Sequence, residues 1–278
     1  MEKDVKTILA ECGFDFKKKF GQNFITDKNL LDSIVAQSGV GKDDTVIEIG
    51  AGAGTLTRAI SARAGKVIAF EVDKTLQPVL ERTLAGVENA EVVFRDFLKV
   101  NLSELEKETG AYRVVANLPY YVTTPLITKI LEESKLCKSL TIMVQEEVAL
   151  RLCAKENTPD YGAITAVIAL RASAKIVKRV PRTMFYPRPN VDSAVVMLEI
   201  EDGRIEVKDE AMYKKTVHAA FAARRKTLSN NIMNVFKLTR GQTEEVLAAC
   251  GIDLKARGET LSPETFAVLS DKLAEYIK

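Results

Sequence analysis

The sequence lacks the features by which membrane and secreted proteins are commonly recognised. No apolar run approaches the ~20 residues that a membrane-spanning helix requires. The first twenty residues include Glu2, Asp4, Glu11 and Asp15 and contain no apolar core, which argues against a signal or transit peptide. We therefore expect a cytoplasmic protein that has no membrane partner.

Residues that bind metal ions or form disulfides are also scarce. The four cysteines, Cys12, Cys137, Cys153 and Cys250, form no CxxC pair, and His218 is the only histidine. This composition indicates neither a structural zinc site nor a disulfide framework. A single histidine cannot make the usual metal cluster, so we expect no metal ion and small buried thiols.

The net charge is only +2, but the basic residues are unevenly distributed. Residues 171–190 contain six basic side chains and no acid, and residues 211–240 contain seven and no acid. Lys17, Lys18 and Lys19 form a third basic stretch. One charged run is commonly a solvated face, whereas several acid-free basic runs predict a polyanionic partner.

Apolar runs rich in valine and isoleucine alternate with helical patterns through the first part of the chain. This alternation indicates a parallel sheet covered on both faces. Two later runs, 174–180 and 193–200, have no helix between them and predict an antiparallel edge. We therefore predict an α/β fold, a mostly parallel Rossmann-like sheet with an antiparallel edge over residues 1–203, followed by a smaller all-helical domain over residues 204–278. The strands predicted in the alternating part are 44–50, 66–73, 90–96, 112–119 and 139–145.

The predicted strands end in groups that suit a bound ligand. The first runs into a glycine-rich turn, EIGAGAG (48–54), before a helix that starts at about Thr55. Glycines in such a turn let the backbone approach a ligand closely beside a helix N-terminus. The dinucleotide fingerprint G-x-G-x-x-G is not met, because Thr55 stands where its third glycine would be. The next three strands end near Glu71, Asp96 and Asn117.

These strand ends fit the parts of a nucleoside. Glu71 follows the glycines by about twenty residues and suits ribose hydroxyls. The alternative is an acid that caps the next helix, and this role suits Asp73 better than Glu71. Asp96 can accept from an exocyclic amine, and Phe97 can pack on a purine face. Because ligands of open α/β sheets bind beyond the carboxyl ends of the strands, these groups predict one nucleoside-shaped site.

The fourth strand ends in Asn117-Leu118-Pro119-Tyr120, which suits the binding of a purine amine. The side-chain oxygen of Asn117 and the backbone oxygen of Leu118 can accept from the amine. Pro119 fixes φ and removes a competing donor. Tyr120 can stack on the base, which is worth ~1–3 kcal/mol. A proline-containing turn with a packing tyrosine is the alternative for this motif in isolation.

Several short motifs follow one another in a specific order between about residue 19 and residue 231. They are GQNF (21–24), EIGAGAGTLT (48–57), FEVD (70–73), RDF (95–97), NLPY (117–120), FYPRPNVDSAVV (185–196) and FAARRKTLSNN (221–231). This set resembles the S-adenosylmethionine-dependent rRNA adenine N6,N6-dimethyltransferases, and the last two motifs resemble the bacterial KsgA type.

The resemblance implies an enzyme that uses S-adenosylmethionine to dimethylate N6 of two adjacent adenosines in the 3′-terminal hairpin of 16S rRNA. It also implies a role in small-subunit biogenesis, a 30S or pre-30S particle as partner, and a monomeric chain. Residues 1–203 would form a class I methyltransferase catalytic domain. Residues 204–278 would form the RNA-binding domain.

The resemblance also assigns roles to individual residues. Asn23 and Ile25 would contact the methionine end of the cofactor, with Gly50 beneath it. Phe185 would close over the target base opposite Tyr120, and Asn117 would lie where the cofactor and the target amine meet. The expected cofactor-binding residues are Asn23, Ile25, Gly50, Gly52, Glu71, Asp96, Phe97 and Asn117. The expected catalytic residues are Asn117, Leu118, Pro119, Tyr120 and Phe185, and the expected RNA-binding residues are Arg224, Arg225 and Lys226.

Two positions depart from the family pattern, and three other functions stay open. Ile25 replaces the usual leucine, and Glu146 replaces a common lysine, which removes one possible phosphate contact. The alternatives are an Erm-type 23S rRNA adenine methyltransferase, a ribosome-assembly factor that acts mainly by binding, and a nicotinamide dehydrogenase. Thr55 and the NLPY motif count against the dehydrogenase.

Overall fold

The computed structural model describes residues 4–17 and 21–277, and of Tyr120 it describes the backbone alone. Its β-strands are β1 Phe24–Ile25, β2 Thr45–Ile49, β3 Lys66–Glu71, β4 Ala90–Phe94, β5 Tyr112–Asn117, β6 Cys137–Gln145, β7 Ala172–Val180, β8 Phe185–Tyr186 and β9 Ser193–Ile200. Its α-helices are α1 Val5–Glu11, α2 Lys28–Gln37, α3 Thr55–Ser61, α4 Gln77–Thr83, α5 Leu102–Thr109, α6 Thr123–Glu133, α7 Glu146–Leu152, α8 Ala163–Ala169, α9 Glu210–Ala220, α10 Leu228–Phe236, α11 Arg240–Ala249 and α12 Pro263–Tyr276.

Seven of the described strands form one sheet in the order β4-β3-β2-β5-β6-β9-β7. The pairings from β4 through β6 are parallel, and β9 runs antiparallel to β6. Val46, Ile47, Val67 and Val114 are fully buried, as expected for central strands that helices cover on both faces. The predicted mostly parallel α/β sheet with an antiparallel edge is confirmed.

Side-chain caps mark the starts of several helices. Asp27 accepts from the backbone N–H of Leu30 at the start of α2, and Asn101 accepts from that of Glu104 at the start of α5. Thr239 and Gln242 form a capping box at α11. Such caps satisfy backbone donors that a helix leaves unpaired in its first turn.

No helix in the described part of the chain is long and apolar enough to cross a membrane.

The chain divides into two compact units. The first comprises Met1–Ala149 and Lys175–Ile200, and the second comprises Leu150–Ala174 and Glu201–Lys278. In this division residues 150–174 group with the C-terminal helices and the second unit resumes at Glu201, whereas the sequence predicts a single boundary after residue 203. Tyr161 in that segment belongs to the same apolar cluster as Tyr213 and Phe266.

A second, two-stranded sheet is absent from the sequence-based prediction. Strand β1 pairs antiparallel with β8, with Phe24 opposite Tyr186 and Ile25 opposite Phe185. Two-residue strands carry no periodicity, so no local pattern in the sequence predicts them. This small sheet holds the GQNF motif beside the FYPRP segment.

The core of the first unit contains an unpartnered carboxyl group. Glu48, near the end of β2, has no exposed surface, and neither of its carboxyl oxygens has a hydrogen-bond partner among the described residues. Burial raises the pKa of Glu48 well above its ordinary value, the nearby Thr57 hydroxyl opposes this rise, and the charge of Glu71 adds to it. Glu48 therefore holds its proton at pH values at which an exposed glutamate is ionised.

We expect the stability of the protein to depend on pH through Glu48. Between the pKa of the unfolded carboxyl and its raised folded value, only the unfolded chain releases the proton. The free energy of unfolding therefore falls by about 1.4 kcal/mol for each pH unit of increase across this window. In Glu48→Gln this decline is absent. Urea denaturation at pH 5, 6, 7 and 8 should therefore show that the free energy of unfolding of the variant increases relative to that of the wild type as pH rises.

Glu91→Gln is the matched control, because Glu91 is an exposed residue of β4. Its free energy of unfolding should follow that of the wild type at each pH. A constant difference between Glu48→Gln and the wild type over the whole range would contradict the prediction.

Candidate functional site

A cavity of about 360 Å³ lies in the first unit at the carboxyl ends of β2, β3, β4 and β5. The strand order reverses at β2, because β3 pairs on one side of it and β5 on the other. Ligands of open α/β sheets bind in the crevice outside such a reversal. All eight residues predicted to bind the cofactor line this cavity: Asn23, Ile25, Gly50, Gly52, Glu71, Asp96, Phe97 and Asn117.

The glycine-rich turn after β2 forms one side of the cavity. Gly50 and Gly52 have φ values of 82° and 55°, a conformation that residues with a side chain rarely adopt. A Cβ atom at Gly52 would also lie 2.9 Å from the ring of Phe24. Glycine is therefore required at position 52 both by the backbone conformation and by the approach of β1. Helix α3 begins at Thr55, as predicted.

Glu71 joins this turn to the end of β3. One carboxyl oxygen accepts from the backbone N–H of Gly52 at 2.8 Å, and the other accepts from Val72 and Asp73, each at 2.8 Å. Burial raises the pKa of Glu71, and these three hydrogen bonds oppose the rise. The side chain lines the cavity with acceptor capacity left, because each carboxylate oxygen has about two acceptor sites.

The end of β4 brings Asp96 and Phe97 to the cavity. One oxygen of Asp96 accepts from the backbone N–H of Leu98 at 3.0 Å and caps the 3₁₀ helix Phe97–Lys99. Phe97 is only 2% exposed and packs edge-to-face against Phe70, so it presents little of its ring to a ligand. The exposed apolar lining is instead supplied by residues that the sequence did not single out: Val72, Leu98 and Tyr121.

Asn117 connects the end of β5 to the N-terminal wall of the cavity. Its side-chain nitrogen donates to the backbone oxygen of Asn23 at 2.9 Å. The amide is thereby oriented, and its remaining polar atom is the acceptor oxygen. Leu118 and Pro119 line the same cavity. The side chain of Tyr120 lies outside the described residues, so its predicted stacking role stays a prediction.

The N-terminal wall of the cavity is formed by residues 21–25. Thr55 donates to the backbone oxygen of Ile25 at 3.0 Å, while the side chain of Ile25 is buried in the core. Gln22 and Asn23 face the cavity from the same segment. The wall is thus attached to the rest of the site by bonds from Thr55 and Asn117, and by further bonds through Gln22.

Phe185 does not line the cavity. It lies in β8, opposite Ile25, is 6% exposed and packs in the apolar cluster that includes Leu30 and Ile34. The FYPRP segment is therefore beside the GQNF wall, but the ring of Phe185 belongs to the core. A role over the target base requires this ring to move, and that role stays a prediction.

Acids from other parts of the chain pair with three of the six cations in the first acid-free basic stretch. Arg171 pairs with Asp202, Lys175 with Glu199 and Arg179 with Glu146, at 3.0, 3.0 and 3.1 Å. The unusual Glu146 therefore balances a cation. Sequence composition could not reveal these pairs, because their members are up to about thirty residues apart.

The predicted RNA-binding residues lie in the turn between α9 and α10, and all three are exposed. Arg224 donates to the backbone oxygen of Pro159 at 3.1 Å. The side chains of Arg225 and Lys226 make no hydrogen bond or ion pair with any described residue.

Within residues 4–17 and 21–277, no group of three or more histidine, cysteine, aspartate or glutamate side chains could hold a metal ion.

Comparison with known proteins agrees with this geometry. The family model described as "Ribosomal RNA adenine dimethylase" matches residues 13–275. Two relatives called "Ribosomal RNA small subunit methyltransferase A" are similar over nearly their whole length. The protein of Bacillus licheniformis is 45% identical, with 100% of both chains covered, and that of Clostridioides difficile is 44% identical, with 96% of this chain and 93% of the relative covered.

Solved structures are similar in fold. The 23S rRNA methyltransferase ErmE has a TM-score of 0.70 and 27% identity, over 91% of this chain and 100% of that one. A dimethyladenosine transferase from Plasmodium falciparum has a TM-score of 0.74 and 23% identity, over 88% of this chain and 95% of that one. The match over residues 13–275 and the full-length relatives show that the chain belongs to the ribosomal RNA adenine dimethylase family.

Proposed function

We propose that this protein uses S-adenosylmethionine to dimethylate N6 of two adjacent adenosines in the 3′-terminal hairpin of 16S rRNA. Its partner would be a 30S or pre-30S particle, and it would act in the cytoplasm as a monomer. The observation that carries the proposal is the position of Asn117, which lines the cavity and whose side-chain nitrogen donates to the backbone oxygen of Asn23.

The residues of the cavity fit S-adenosylmethionine. The Glu71 oxygen that accepts from Gly52 has an acceptor site left for a ribose hydroxyl, and Asp96 offers an acceptor for the adenine amine. Val72, Leu98 and Tyr121 supply apolar surface for the purine. The turn at Gly50 and Gly52 has no side chain to fill the space beside the carboxyl ends of the strands. The combination of two acids, an apolar rim and a glycine turn matches an adenosine with a polar tail.

The chain's own residues then have distinct tasks. Asn23 and the backbone of Ile25 would hold the methionine end, with Gly50 beneath it. Glu71 and Asp96 would fix the two ends of the adenosine. When bound, S-adenosylmethionine supplies a methyl group on a sulfonium, which needs no metal ion for activation. The positioning of donor and acceptor by the protein can supply several kcal/mol of the barrier.

The acceptors after β5 act on the target amine. Adenine N6 is a poor nucleophile because its lone pair is conjugated with the ring. The side-chain oxygen of Asn117 and the backbone oxygen of Leu118 would accept its two N–H bonds and direct the lone pair at the methyl group. Pro119, with φ of −57°, fixes the backbone between these acceptors and Tyr120. The target base must leave its stack to reach them.

The small-subunit substrate is favoured over the Erm-type alternative. The relatives at 44–45% identity are named as small-subunit methyltransferases, whereas the 23S enzyme ErmE is 27% identical. Family membership also counts against the nicotinamide dehydrogenase. A role as an assembly factor can coexist with catalysis, because the predicted cofactor-binding residues all line one cavity.

The turn at 224–226 is proposed as a contact for rRNA phosphates. Its side chains are exposed and form no ion pair with an acid of the described chain, whereas half of the cations in the stretch at 171–190 do. An unpaired cation gains more from a phosphate than one that must first leave a carboxylate. This contrast distinguishes the two basic stretches, which look alike in the sequence.

Replacing Asn117 by alanine should abolish most methyl transfer. The variant loses an acceptor that orients the amine, so the turnover on undermethylated 30S particles should fall by on the order of 10²–10³-fold. The bond to Asn23 is also removed, and the affinity for S-adenosylmethionine should weaken by less than about tenfold. Labelled methyl incorporation and calorimetry measure the two effects separately.

Asn89→Ala is the control for this variant. Asn89 also donates its amide to backbone oxygens, those of Ser61 and Ala64, but it does not line the cavity. Its turnover should match the wild type. Near-normal turnover in Asn117→Ala would disprove the assigned role.

Alanine at Arg224, Arg225 and Lys226 should weaken binding to the 30S particle and make it less dependent on salt. The slope of log affinity against log salt concentration should become shallower by about one for each phosphate that the variant no longer neutralises. Filter binding at salt concentrations from about 50 to about 200 mM measures this slope, because ionic contacts to phosphate change affinity strongly over that range.

A triple variant of equal charge provides the comparison. Arg240, Arg257 and Lys272 lie in the same unit, and each is paired with a glutamate. Their replacement by alanine should leave the salt slope nearly unchanged. Equal effects of the two triple variants would mean that only net charge matters.

A further inference from the structure

The N-terminal wall of the cavity, residues 21–25, is not part of the seven-stranded sheet. Its backbone pairs only with the two-residue strand β8 among the described strands. Its position therefore depends on side chains of other segments that bind it. Two of these, Thr55 and Asn117, bind the backbone oxygens of Ile25 and Asn23. The third is Asp73, which accepts from the side chain of Gln22.

Asp73 is the centre of a hydrogen-bonded cluster. Its Oδ1 accepts from the Lys17 ammonium at 2.7 Å, and its Oδ2 accepts from the Gln22 side chain at 2.8 Å. The Gln22 side chain in turn accepts from the backbone N–H of Lys17 at 2.7 Å. Lys17 also donates to the hydroxyl of Thr75 at 2.7 Å. The bonds to Asp73 connect residues that are more than fifty positions apart in the sequence.

Capping explains only part of this arrangement. Oδ1 of Asp73 caps the 3₁₀ helix Lys74–Leu76 by accepting from the N–H and hydroxyl of Thr75. A cap of this kind is commonly exposed, whereas Asp73 is only 3% exposed. Although burial alone would raise the pKa of Asp73, the bonds from Lys17, Thr75 and Gln22 lower it to about 2. The carboxylate thus stays ionised and holds both N-terminal side chains at once.

Asp73 is also adjacent to the ligand-binding end of β3. Its backbone N–H donates to Glu71, the residue proposed to take the ribose hydroxyls. Gln22, whose side chain donates to Oδ2 of Asp73, lines the cavity next to Asn23. One residue therefore connects the proposed ribose acceptor with the proposed methionine-end wall.

We propose that Asp73 is a positioning residue for the cofactor site, which sets the place of the wall 21–25 by holding Lys17 and Gln22. The inference rests on the proposed use of this cavity for S-adenosylmethionine. Asp73 itself acts through Gln22 and Lys17 and would touch neither cofactor nor RNA. If the wall is in place in only a fraction of the molecules, the apparent Kd for the ligand is the intrinsic Kd divided by that fraction.

Asp73→Asn tests the proposal. An asparagine presents a single acceptor oxygen and no charge, so it cannot hold Lys17 and Gln22 together, while the backbone N–H to Glu71 is kept. We expect the Kd for S-adenosylmethionine to rise by about tenfold, with a matching rise in KM for the cofactor. The kcat at saturating cofactor and the KM for the 30S particle should stay within about twofold of the wild type.

Lys17→Met provides the partner variant. It removes the ammonium from the same cluster, so it should also raise the Kd for the cofactor. The increase in Kd of the double variant should be less than the product of the two single increases, because both changes disrupt one network. Multiplicative effects would show that the two residues act independently and would contradict the proposal.

Asp44→Asn is the matched control. Asp44 is another aspartate in an ion pair, with Arg113 at 3.1 Å, but it lies just before β2, at the other end of the strands, and does not line the cavity. Its replacement should lower stability without changing the Kd for the cofactor. If Asp73→Asn and Asp44→Asn raise the Kd equally, or if neither does, Asp73 is not a positioning residue.

Amide hydrogen exchange of the ligand-free protein separates this proposal from the proposed function. In Asp73→Asn the amides of residues 21–25 should exchange at least about tenfold faster than in the wild type, while those of β5 and β6 keep their rates. Unchanged exchange at 21–25 would overturn the positioning role whatever the protein binds. Faster exchange in a protein whose wild type binds no S-adenosylmethionine would support the positioning role and reject the proposed function.

Discussion

The hydrogen bonds of the Glu71 carboxylate join the ends of two neighbouring strands. The carboxylate accepts from one backbone N–H in the turn after β2 and from two at the end of β3, each at 2.8 Å. A buried backbone N–H without a partner costs free energy. The carboxylate therefore fixes the backbone conformation of the segments that follow β2 and β3. The shape of the cavity, the position of Gly52 and the orientation of the Asp73 segment all depend on it.

Much of the site was predictable because parallel strands end at one edge of a sheet. Alternation of apolar strands and helices indicated the sheet, and the residues after each strand then had to lie together. Glu71, Asp96 and Asn117 line one cavity for this reason. The glycine turn was predictable in the same way, since positive φ and close approach both favour glycine.

Other features depend on contacts between distant parts of the chain, which local patterns do not encode. The pairing of β1 with β8, the grouping of residues 150–174 with the C-terminal helices, and the bond between Lys17 and Asp73 are of this kind. A helix cap is the alternative that the sequence offers for Asp73, and Asp73 does cap a 3₁₀ helix, but its second oxygen accepts from Gln22, about fifty residues earlier. The burial of Phe185 and the unpartnered state of Glu48 likewise follow from packing alone.

The contact between Gly52 and Phe24 has a consequence for how the sequence can change. The ring of Phe24 occupies the space in which a side chain at position 52 would begin. Any larger residue at 52 would require a smaller one at 24, and a smaller residue at 24 would leave a gap under the aromatic cluster with Phe14 and Phe16. Because φ at Gly52 is also 55°, a smaller residue at 24 would not by itself admit a side chain at 52, so the wall keeps its place only with glycine at 52 and an aromatic ring at 24.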